Sequence, residues 1–380
     1  MSSQLNVKRS AFFQTQSQTQ APVTEDEVRK ILELSVRYPS GDNCQPFRLE
    51  HLDSARFAIH YLADQGAHFF NMKNMSSLLS FGALIESMNI AASQFSCEVD
   101  YKIEKDFGTD QPCWGTVTIH RTGISKSPWV DSLKTRFTNR DPYESDLSDL
   151  EFKTLDKILN NIKLPPDVTI ASTKISMKIE NYFLLCDEFF WTTKRAVTDL
   201  ARWIRLKSKP IPKDGFSLNN LRLKFHEALF IILFAKLSIL IRFLYPVLTQ
   251  LTKGNTRRLI RNSAGVIFIA LSDDRKISYM NTGRSLMRIW LELTAQGYQV
   301  QPLSLGSEMI YALKKNLFDH QVDPHWLKKV SLANKELQSD LGFNETENIV
   351  WAFRFGKAIK SAPIPELTGR RGERFNLKDE

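Results

Sequence analysis

Apolar residues recur along the chain at two spacings, and segments of the two kinds alternate. Separations of three and four residues predict helices over residues 25–38, 73–95, 147–160, 176–204, 281–296 and 307–315. Alternating or continuous apolar runs predict strands over residues 47–52, 56–62, 97–103, 114–120, 168–171, 264–271, 298–303 and 349–355. Thr24 followed by Glu27 forms a capping box that opens the first helix. Helices interleaved with strands favour an α+β layered fold over a helix bundle.

Two eleven-residue helical segments are similar in sequence. Residues 82–92 (Gly-Ala-Leu-Ile-Glu-Ser-Met-Asn-Ile-Ala-Ala) align without gaps with residues 283–293 (Gly-Arg-Ser-Leu-Met-Arg-Ile-Trp-Leu-Glu-Leu) at an offset of 201 residues. A predicted strand follows each segment, and a further apolar strand closes each half of the chain. Two unrelated buried helices would share part of this pattern, because glycine and alanine recur in tightly packed helices. The matching order of elements favours an internal duplication.

The overall composition bounds the class of protein. The chain of 380 residues is 42% hydrophobic, which is enough for one large core or two moderate ones. The first twenty residues hold five Gln and four Ser without apolar periodicity, so residues 1–22 are predicted to be a disordered tail. That tail lacks the apolar core of a secretory signal, and we expect a cytoplasmic protein. The four cysteines are scattered, so neither a disulfide framework nor a metal site is expected.

Residues 191–262 differ from the rest of the chain. They hold fifteen Lys and Arg against three acidic residues, a net charge of +12, whereas the remainder holds 36 basic and 39 acidic residues. They also contain the most apolar run, residues 228–248. Two cations inside this run disfavour a membrane span, since each central Lys or Arg costs about 2.5–3.5 kcal/mol on insertion scales. A helix on an anionic membrane surface and a lid over a pocket both remain open. Nucleic-acid binding is disfavoured, because the basic residues alternate with Leu and Ile.

The loop over residues 38–47 carries the most informative motif, Tyr-Pro-Ser-Gly-Asp-Asn-Cys-Gln-Pro-Phe. It resembles the Pro-Ser-x-x-Asn-x-Gln-Pro-Trp loop of the nitroreductase superfamily, which lies against the isoalloxazine ring of FMN. The resemblance implies flavin contacts from Pro39, Ser40, Asn43 and Gln45. Prolines stiffen such a loop, Gly41 permits unusual dihedral angles, and the polar side chains offer donors and acceptors. The same residue types also form ordinary turns, so this motif alone leaves both interpretations open.

Further segments resemble other parts of the nitroreductase pattern. Residues 136–143 (Arg-Phe-Thr-Asn-Arg-Asp-Pro-Tyr) are similar to the element that grips the FMN phosphate, which implies that role for Arg136, Thr138 and Arg140. An isolated basic segment is more often a solvated turn. The apolar strand near the C-terminus, followed by Thr-Gly-Arg-Arg, implies a phosphate contact from Arg370 and Arg371. Residues 301–306 resemble the segment whose backbone approaches the reactive flavin edge, which adds three residues: Pro302, Leu303 and Ser304.

The order of these motifs is unusual for the family. The flavin loop precedes the phosphate element, whereas ordinary nitroreductases have the reverse order and form homodimers whose FMN sites combine both subunits. The resemblance therefore implies a nitroreductase-like α+β pseudo-dimer of two diverged copies, residues 23–125 and 126–380, with residues 191–262 as a lid insertion. Residues 82–92 are similar to the family's central helix. The pattern also resembles duplicated nitroreductase-like proteins of actinobacteria and related flavoproteins fused to an E1-like domain, but the glycine-rich fingerprint of that domain is missing here.

The resemblance implies an FMN-dependent oxidoreductase acting on a small molecule, with NADH or NADPH as the candidate donor. No catalytic side chains are required, because the flavin carries the hydride chemistry. One alternative is a non-enzymatic protein that sequesters FMN beneath a closed lid. Another is a membrane-surface or partner-binding protein with a vestigial flavin fold. A monomer, or a dimer that exchanges no segments, is expected in each case, because both half-sites lie in one chain.

Overall fold

The computed structural model describes residues 21–108, 112–207, 209–236, 238–317, 324–359, 369–370 and 375–376, with side chains except at 238–248, 251, 324 and 375–376. Helices α1 to α13 are Glu25–Ser35, Ala63–Gly66, Met75–Ser93, Val130–Thr135, Asp149–Asn160, Met177–Thr192, Lys194–Trp203, Leu218–Leu221, Phe225–Lys236, Ser238–Arg261, Lys276–Ala295, Leu305–Lys314 and Pro324–Asp340. Strands β1 to β12 are Phe47–Asp53, Arg56–Tyr61, Cys97–Ile103, Cys113–Arg121, Tyr143–Glu144, Val168–Thr173, Ile204–Arg205, Phe216–Ser217, Gly265–Leu271, Tyr298–Pro302, Asn348–Ala358 and Phe375–Asn376.

Two sheets of the described chain each contain an antiparallel run of four strands, and β7 and β8 pair in a separate two-stranded sheet. The first has the order β1-β2-β4-β3 and the second has the order β6-β9-β11-β10. In both runs the strand that comes fourth in sequence lies between the second and the third. One long helix, α3 or α11, precedes the third strand. The two-residue strand β12 joins the first sheet in parallel beside β1. The chain is therefore a mixed α/β protein in which a late segment returns to an early sheet.

Helices α3 and α11 cross at two glycines. A Cβ atom built on Gly82 would lie 1.8 Å from the carbonyl oxygen of Met280, and one built on Gly283 would lie 2.0 Å from that of Leu79. Each glycine thus faces the carbonyl of the residue three positions before the other glycine. Only residues without a side chain permit backbones to approach this closely. The crossing is reciprocal and sits at the offset of 201 residues that relates the two sequence segments.

Helix α3 lies at the centre of the main hydrophobic core. All of its residues except Asn89 are buried, and the core cluster also includes Trp114 from the first sheet, Trp290 from α11 and Phe353 from the second sheet. Length and hydropathy alone would allow residues 72–93 to cross a membrane, but 94% of the window that meets this test is buried inside the protein. A core helix of a globular fold has the same composition.

The described part of residues 191–262 is mostly helical and contains a small hydrophobic cluster. That cluster includes Val197, Ala228, Ile231 and Phe234, so the first part of the apolar run packs against α7. On its outer side, helix α9 leaves the side chains of Phe225 and Leu233 about half exposed, at 57% and 45%. The second part of the apolar run, from residue 237 to 248, has no described side chains.

The structure confirms the predicted helices and strands with small shifts at their ends. The capping box of Thr24 and Glu27 is present at α1. Two differences have physical causes. The helix predicted over residues 176–204 is broken into α6 and α7, because Thr193 adopts an extended conformation and its hydroxyl donates to Phe189 O instead. Helix α11 begins at Lys276, five residues before the predicted start. Its N-cap residue, Arg275, makes no side-chain capping hydrogen bond, so no capping residue in the sequence marks this start. Residues 1–20 of the predicted tail lie outside the described residues.

Candidate functional site

The predicted site residues gather around one cavity of about 300 Å³. Its walls come from the loop after α1, the loop after α4, the start of α12 and the facing sides of α3 and α11. Residues 191–262, the basic segment, also contribute to the wall. Nine of the twelve residues proposed from sequence line it: Pro39, Ser40, Asn43, Arg136, Thr138, Arg140, Pro302, Ser304 and Arg370. Stretches up to 330 residues apart in sequence thus form one concave surface.

The loop over residues 38–47 is held in an unusual backbone conformation. Asp42, Asn43 and Gln45 have φ angles of 50°, 53° and 51°, in the left-handed region that residues with side chains rarely adopt. Ser40 stabilises the turn, since its Oγ accepts a hydrogen bond from the Gln45 amide at 3.0 Å. The expectation that Gly41 supplies the unusual dihedral angle is wrong. A Cβ on Gly41 would lie 3.0 Å from His68 Nε2, so this glycine permits close packing instead.

The amides of Asn43 and Gln45 tie the loop to the basic segment. Asn43 Nδ2 donates to Gly215 O at 3.1 Å, and Gln45 Nε2 donates to Lys213 O at 2.8 Å. Gln45 is buried and does not line the cavity, so its predicted place beside the ligand is corrected to a position behind the loop.

A cluster of arginines occupies one end of the cavity. The Arg136 guanidinium is buried, lies 4.3 Å from the centre of the Trp290 ring and donates to Arg37 O. Its Nε atom has no hydrogen-bond partner among the described residues. Burial and the neighbouring cations Arg370 and Arg37 lower the pKa of Arg136 well below its ordinary value. Burial and Arg37 likewise lower the pKa of Arg370 to about 10. This end of the cavity therefore favours an anion.

A fourth arginine stands beside an acid on another wall. Arg140 Nη1 donates to Asn220 O at 3.1 Å, and its guanidinium lies 4.6 Å from the Phe216 ring centre. Burial lowers the pKa of Arg140 to about 10, although the charge of Asp42 acts in the opposite direction. Two residues of the basic segment thus contact Arg140, which the sequence motif had assigned to the element that binds phosphate.

Arg354 fixes the loop that carries these arginines. This side chain is fully buried on β11 and donates to Gln301 Oε1 at 2.6 Å and to Asp141 O at 2.9 Å. Asn139 adds a backbone hydrogen bond to Val300 O at 3.0 Å. The loop between Arg136 and Tyr143 is therefore locked against the end of the second sheet. The sequence signal was an arginine inside an otherwise apolar strand, which requires buried acceptors nearby.

The segment before α12 contributes less than predicted. Pro302 and Ser304 line the cavity, but Leu303 faces a neighbouring cavity and its amide donates to Ala352 O at 2.8 Å. The assignment of Leu303 to the site is therefore corrected. A Cβ on Gly306 would lie 2.5 Å from the hydroxyl of Tyr182, so this glycine serves helix packing.

The C-terminal segment closes the site. Arg370 donates to the Asn43 side-chain oxygen, and the Gly369 carbonyl accepts from Asn43 Nδ2 at 3.3 Å. A Cβ on Gly369 would lie 2.0 Å from Pro212 O, so this segment also presses against the basic segment. Arg371, the remaining predicted phosphate ligand, lies outside the described residues.

Two buried carboxyl groups were missed by the sequence analysis. Asp42 and Glu308 both line the cavity, and Ser76 Oγ donates to Glu308 Oε1 at 2.5 Å. Burial raises the pKa of Glu308 to about 7, against the Ser76 hydrogen bond, and burial raises the pKa of Asp42 to about 6, against Arg140. Glu308 could have been noticed as an acid within an apolar helical stretch. Asp42 occupies a position that the motif leaves unspecified.

Comparisons with known proteins give a limited result. Neither a protein-family model nor a curated protein sequence matches the chain. Among solved structures, it is similar to a nitroreductase with bound FMN from Desulfitobacterium hafniense, at 11% identity and a TM-score of 0.34, over 63% of this chain and 95% of that one. A nitroreductase with bound FMN from Bacteroides fragilis is 9% identical, with a TM-score of 0.33, over 65% of this chain and 97% of that one.

A third similar structure is the FMN-dependent nitroreductase NfnB from Mycobacterium smegmatis in complex with NADPH. It is 13% identical, with a TM-score of 0.32, over 62% of this chain and 91% of that one. Identities and TM-scores this low carry no argument about what the chain binds or does.

Proposed function

We propose that the protein is a flavoprotein of nitroreductase type that binds one FMN in the 300 Å³ cavity and acts as an oxidoreductase. The convergence of the loop, phosphate and C-terminal motifs on one cavity carries this proposal. The volume lies at the lower end of the range for small-molecule pockets, about 300–1,000 Å³. The three motifs are far apart in sequence, so their meeting at one cavity is not a consequence of sequence proximity.

The residues present fit the phosphate of FMN. Arg136 Nε is a buried donor without a partner among the described residues, and Arg37 and Arg370 add charge of the same sign. A phosphate dianion accepts several charge-assisted hydrogen bonds and would offset the repulsion among these cations. Ser40 and Asn43 belong to the part of the cavity wall that would face the flavin ring. When bound, FMN supplies hydride transfer, and the chain supplies binding and orientation.

Cofactor release and rebinding test this proposal. Acid treatment of the purified protein should release FMN at one molecule per chain. The apoprotein should bind riboflavin, which lacks the phosphate, about 10–150-fold more weakly than FMN, since hydrogen bonds to charged groups contribute about 1.5–3 kcal/mol. Equal affinities would remove the arginine assignment. Exclusive binding of FAD, no flavin binding, or two FMN per chain would contradict the proposal as a whole.

The internal duplication belongs to the same proposal. The two sheets have the same strand order, and Gly82 and Gly283 make reciprocal contacts across the central helix pair. These observations support two diverged copies, residues 23–125 and 126–380, that form a pseudo-dimer around a single FMN site. Light scattering should then show a monomer, or a dimer that exchanges no segments. A domain-swapped homodimer holding two FMN sites would contradict this part.

We further propose that the basic segment, residues 191–262, acts as a lid. Leu200, Phe216 and Leu221 line the cavity, and the backbone of Lys213 and Gly215 binds the flavin loop. The described part of the apolar run does not line the cavity; it packs behind these residues. Mutating only the inner layer, for example Phe216→Ala, should raise flavin exposure to a fluorescence quencher, while Phe225→Ala on the outer face should not.

Two assays, flavin reduction by a nicotinamide and liposome flotation, distinguish three candidate functions. Anaerobic mixing with NADH or NADPH should bleach the flavin of an oxidoreductase, whereas the flavin of a sequestering protein would be photoreducible but inert toward nicotinamide. The exposed apolar residues of α9, beside a strongly basic surface, support a membrane-surface role as the second candidate. Flotation with anionic liposomes, using Leu233→Ser as the disrupted variant and neutral liposomes as the control, tests that role. We propose a cytoplasmic location for the flavoprotein.

A further inference from the structure

A second, smaller chamber adjoins the cofactor cavity. Its volume is about 190 Å³, and three of its walls are aromatic: Phe69, Phe70 and Phe190. The rings of Phe70 and Phe190 stack with their centres 6.2 Å apart. Asp42 and Glu308 line both the chamber and the cofactor cavity, so the two carboxyls stand in the shared wall. An apolar cavity of about 150 Å³ accommodates benzene, so this chamber has the size of one ring.

Glu308 is held firmly in that wall. It lies in the first turn of α12, is 7% exposed and accepts the Ser76 hydroxyl at 2.5 Å. Ser304 adds a second hydroxyl contact. Across the part of the chain that the structure describes, no Lys or Arg forms an ion pair with Glu308. A buried carboxyl without a cation is stable mainly in its protonated form, which can donate a hydrogen bond or a proton.

The other titratable groups around this wall are less suited than Glu308 to donate a proton. Burial lowers the pKa of His68 to about 4, so the imidazole is neutral and holds no spare proton at neutral pH. Burial raises the pKa of Asp199, but its carboxylate already accepts the Phe69 amide at 2.6 Å. Asp42 faces Arg140, whose charge favours the carboxylate. Arg140 itself carries a positive charge at neutral pH. Glu308 is the best placed acid of this group.

We propose that Glu308 is a catalytic acid, which donates a proton from the shared wall to an electron acceptor bound in the aromatic chamber. The inference rests on the proposed oxidoreductase function. Reduction of an acceptor by two electrons requires a hydride and a proton. The hydride would come from reduced FMN held in the cofactor cavity. The O–H bond of Glu308 then breaks as an O–H bond forms on the acceptor oxygen, and the Glu308 carboxylate regains its proton from water.

The isosteric variant Glu308→Gln tests the proposal, with Asp42→Asn as the matched control in the same wall. Infrared pH titration of the FMN-bound protein gives a readout independent of turnover. The wild type should show the band of a protonated carboxyl group that disappears as pH rises through about 7, and E308Q should lack this band. D42N should keep it, with its disappearance moved to lower pH, because the Asp42 charge raises the pKa of Glu308. Persistence of this band in E308Q would overturn the assignment.

Kinetics provide the second readout. Protein whose flavin has been reduced by dithionite is mixed anaerobically with p-benzoquinone, a neutral single-ring acceptor. Oxidation by E308Q should be about 10²–10⁴-fold slower at low pH, and the fall in the wild-type rate with rising pH should be absent. A rate within twofold of wild type, or an unchanged pH profile, would overturn the inference alone. Failure of the wild type to bind FMN would overturn the proposed function and this inference together.

Discussion

Replacing Arg136 by methionine should separate ligand binding from folding. The arginine is 4% exposed, and two further arginines, Arg37 and Arg370, lower its pKa. Methionine has a similar length and fills the same space without charge. If the cluster exists to hold a phosphate, then the variant should lose FMN affinity while the apoprotein keeps its stability.

The magnitudes follow from the contacts. Losing the cation–π contact with Trp290, at 4.3 Å, costs up to about 2 kcal/mol, and losing the hydrogen bond to Arg37 O costs about 1.5 kcal/mol. Replacing a buried charge by an apolar residue contributes about 1–4 kcal/mol in the other direction. We therefore expect apoprotein stability to change by less than about 2 kcal/mol. The lost phosphate hydrogen bonds should weaken FMN binding by about 1.5–3 kcal/mol, or about 10–150-fold.

Two measurements decide the outcome. Urea denaturation of the apoprotein gives the free energy of unfolding, and quenching of FMN fluorescence gives its dissociation constant. Inorganic phosphate should stabilise the wild-type apoprotein and not the variant. The exposed Arg29 on α1, changed to methionine, serves as the control and should alter neither quantity. An apoprotein destabilised by more than 3 kcal/mol with unchanged FMN affinity would refute the reasoning, since Arg136 would then be a packing residue.

The remaining predictions concern the core and a buried acid. Gly82→Ala should cost about 3 kcal/mol or more in the free energy of unfolding, because its Cβ would lie 1.8 Å from Met280 O. Gly283→Ala should cost about as much. The helical control Gly254→Ala, whose new Cβ would have no atom within 4 Å, should stabilise the protein by up to about 1 kcal/mol. Equal effects at all three sites would contradict the crossing geometry. Glu308 has a folded-state pKa raised from 4.5 to about 7, so its contribution is full below pH 4.5 and lost as pH rises through about 7. Relative to E308Q, wild-type stability should therefore fall by about 3 kcal/mol over that window, and parallel denaturation curves at each pH would contradict it.

Periodic segments could be predicted from sequence because burial itself imposes the period. Residues 97–103 and 168–171 read as strands since alternate side chains meet the core, and the structure places strands there. The break at Thr193 had no such signal, because neither glycine nor proline marks it. What ends helix α6 is a side-chain hydrogen bond and the packing of the basic segment, which local sequence does not contain.

The candidate site divides along a similar line. Residues whose types suit a ligand, such as Ser40 and Arg136, could be chosen from their motifs, and they line the cavity. Gln45 was misplaced because a distant backbone carbonyl, Lys213 O, takes its amide. Glu308 was missed because its chemistry arises from burial beside Ser76, 232 residues away in sequence. Properties created by tertiary contact are invisible to motif reasoning.

The position of helix α3 has a consequence for biosynthesis. Its apolar surface is buried largely by α11, whose first residue follows the end of α3 after about 180 residues of chain. At about 5–20 residues per second, a ribosome needs about 10–40 s to supply that partner. During this time the nascent chain carries a long apolar helix that cannot reach its final packing. Arg370 follows later still in the chain, so the wall of the cavity is complete only after that residue has been synthesised. Chaperone dependence of the yield should therefore map to α3.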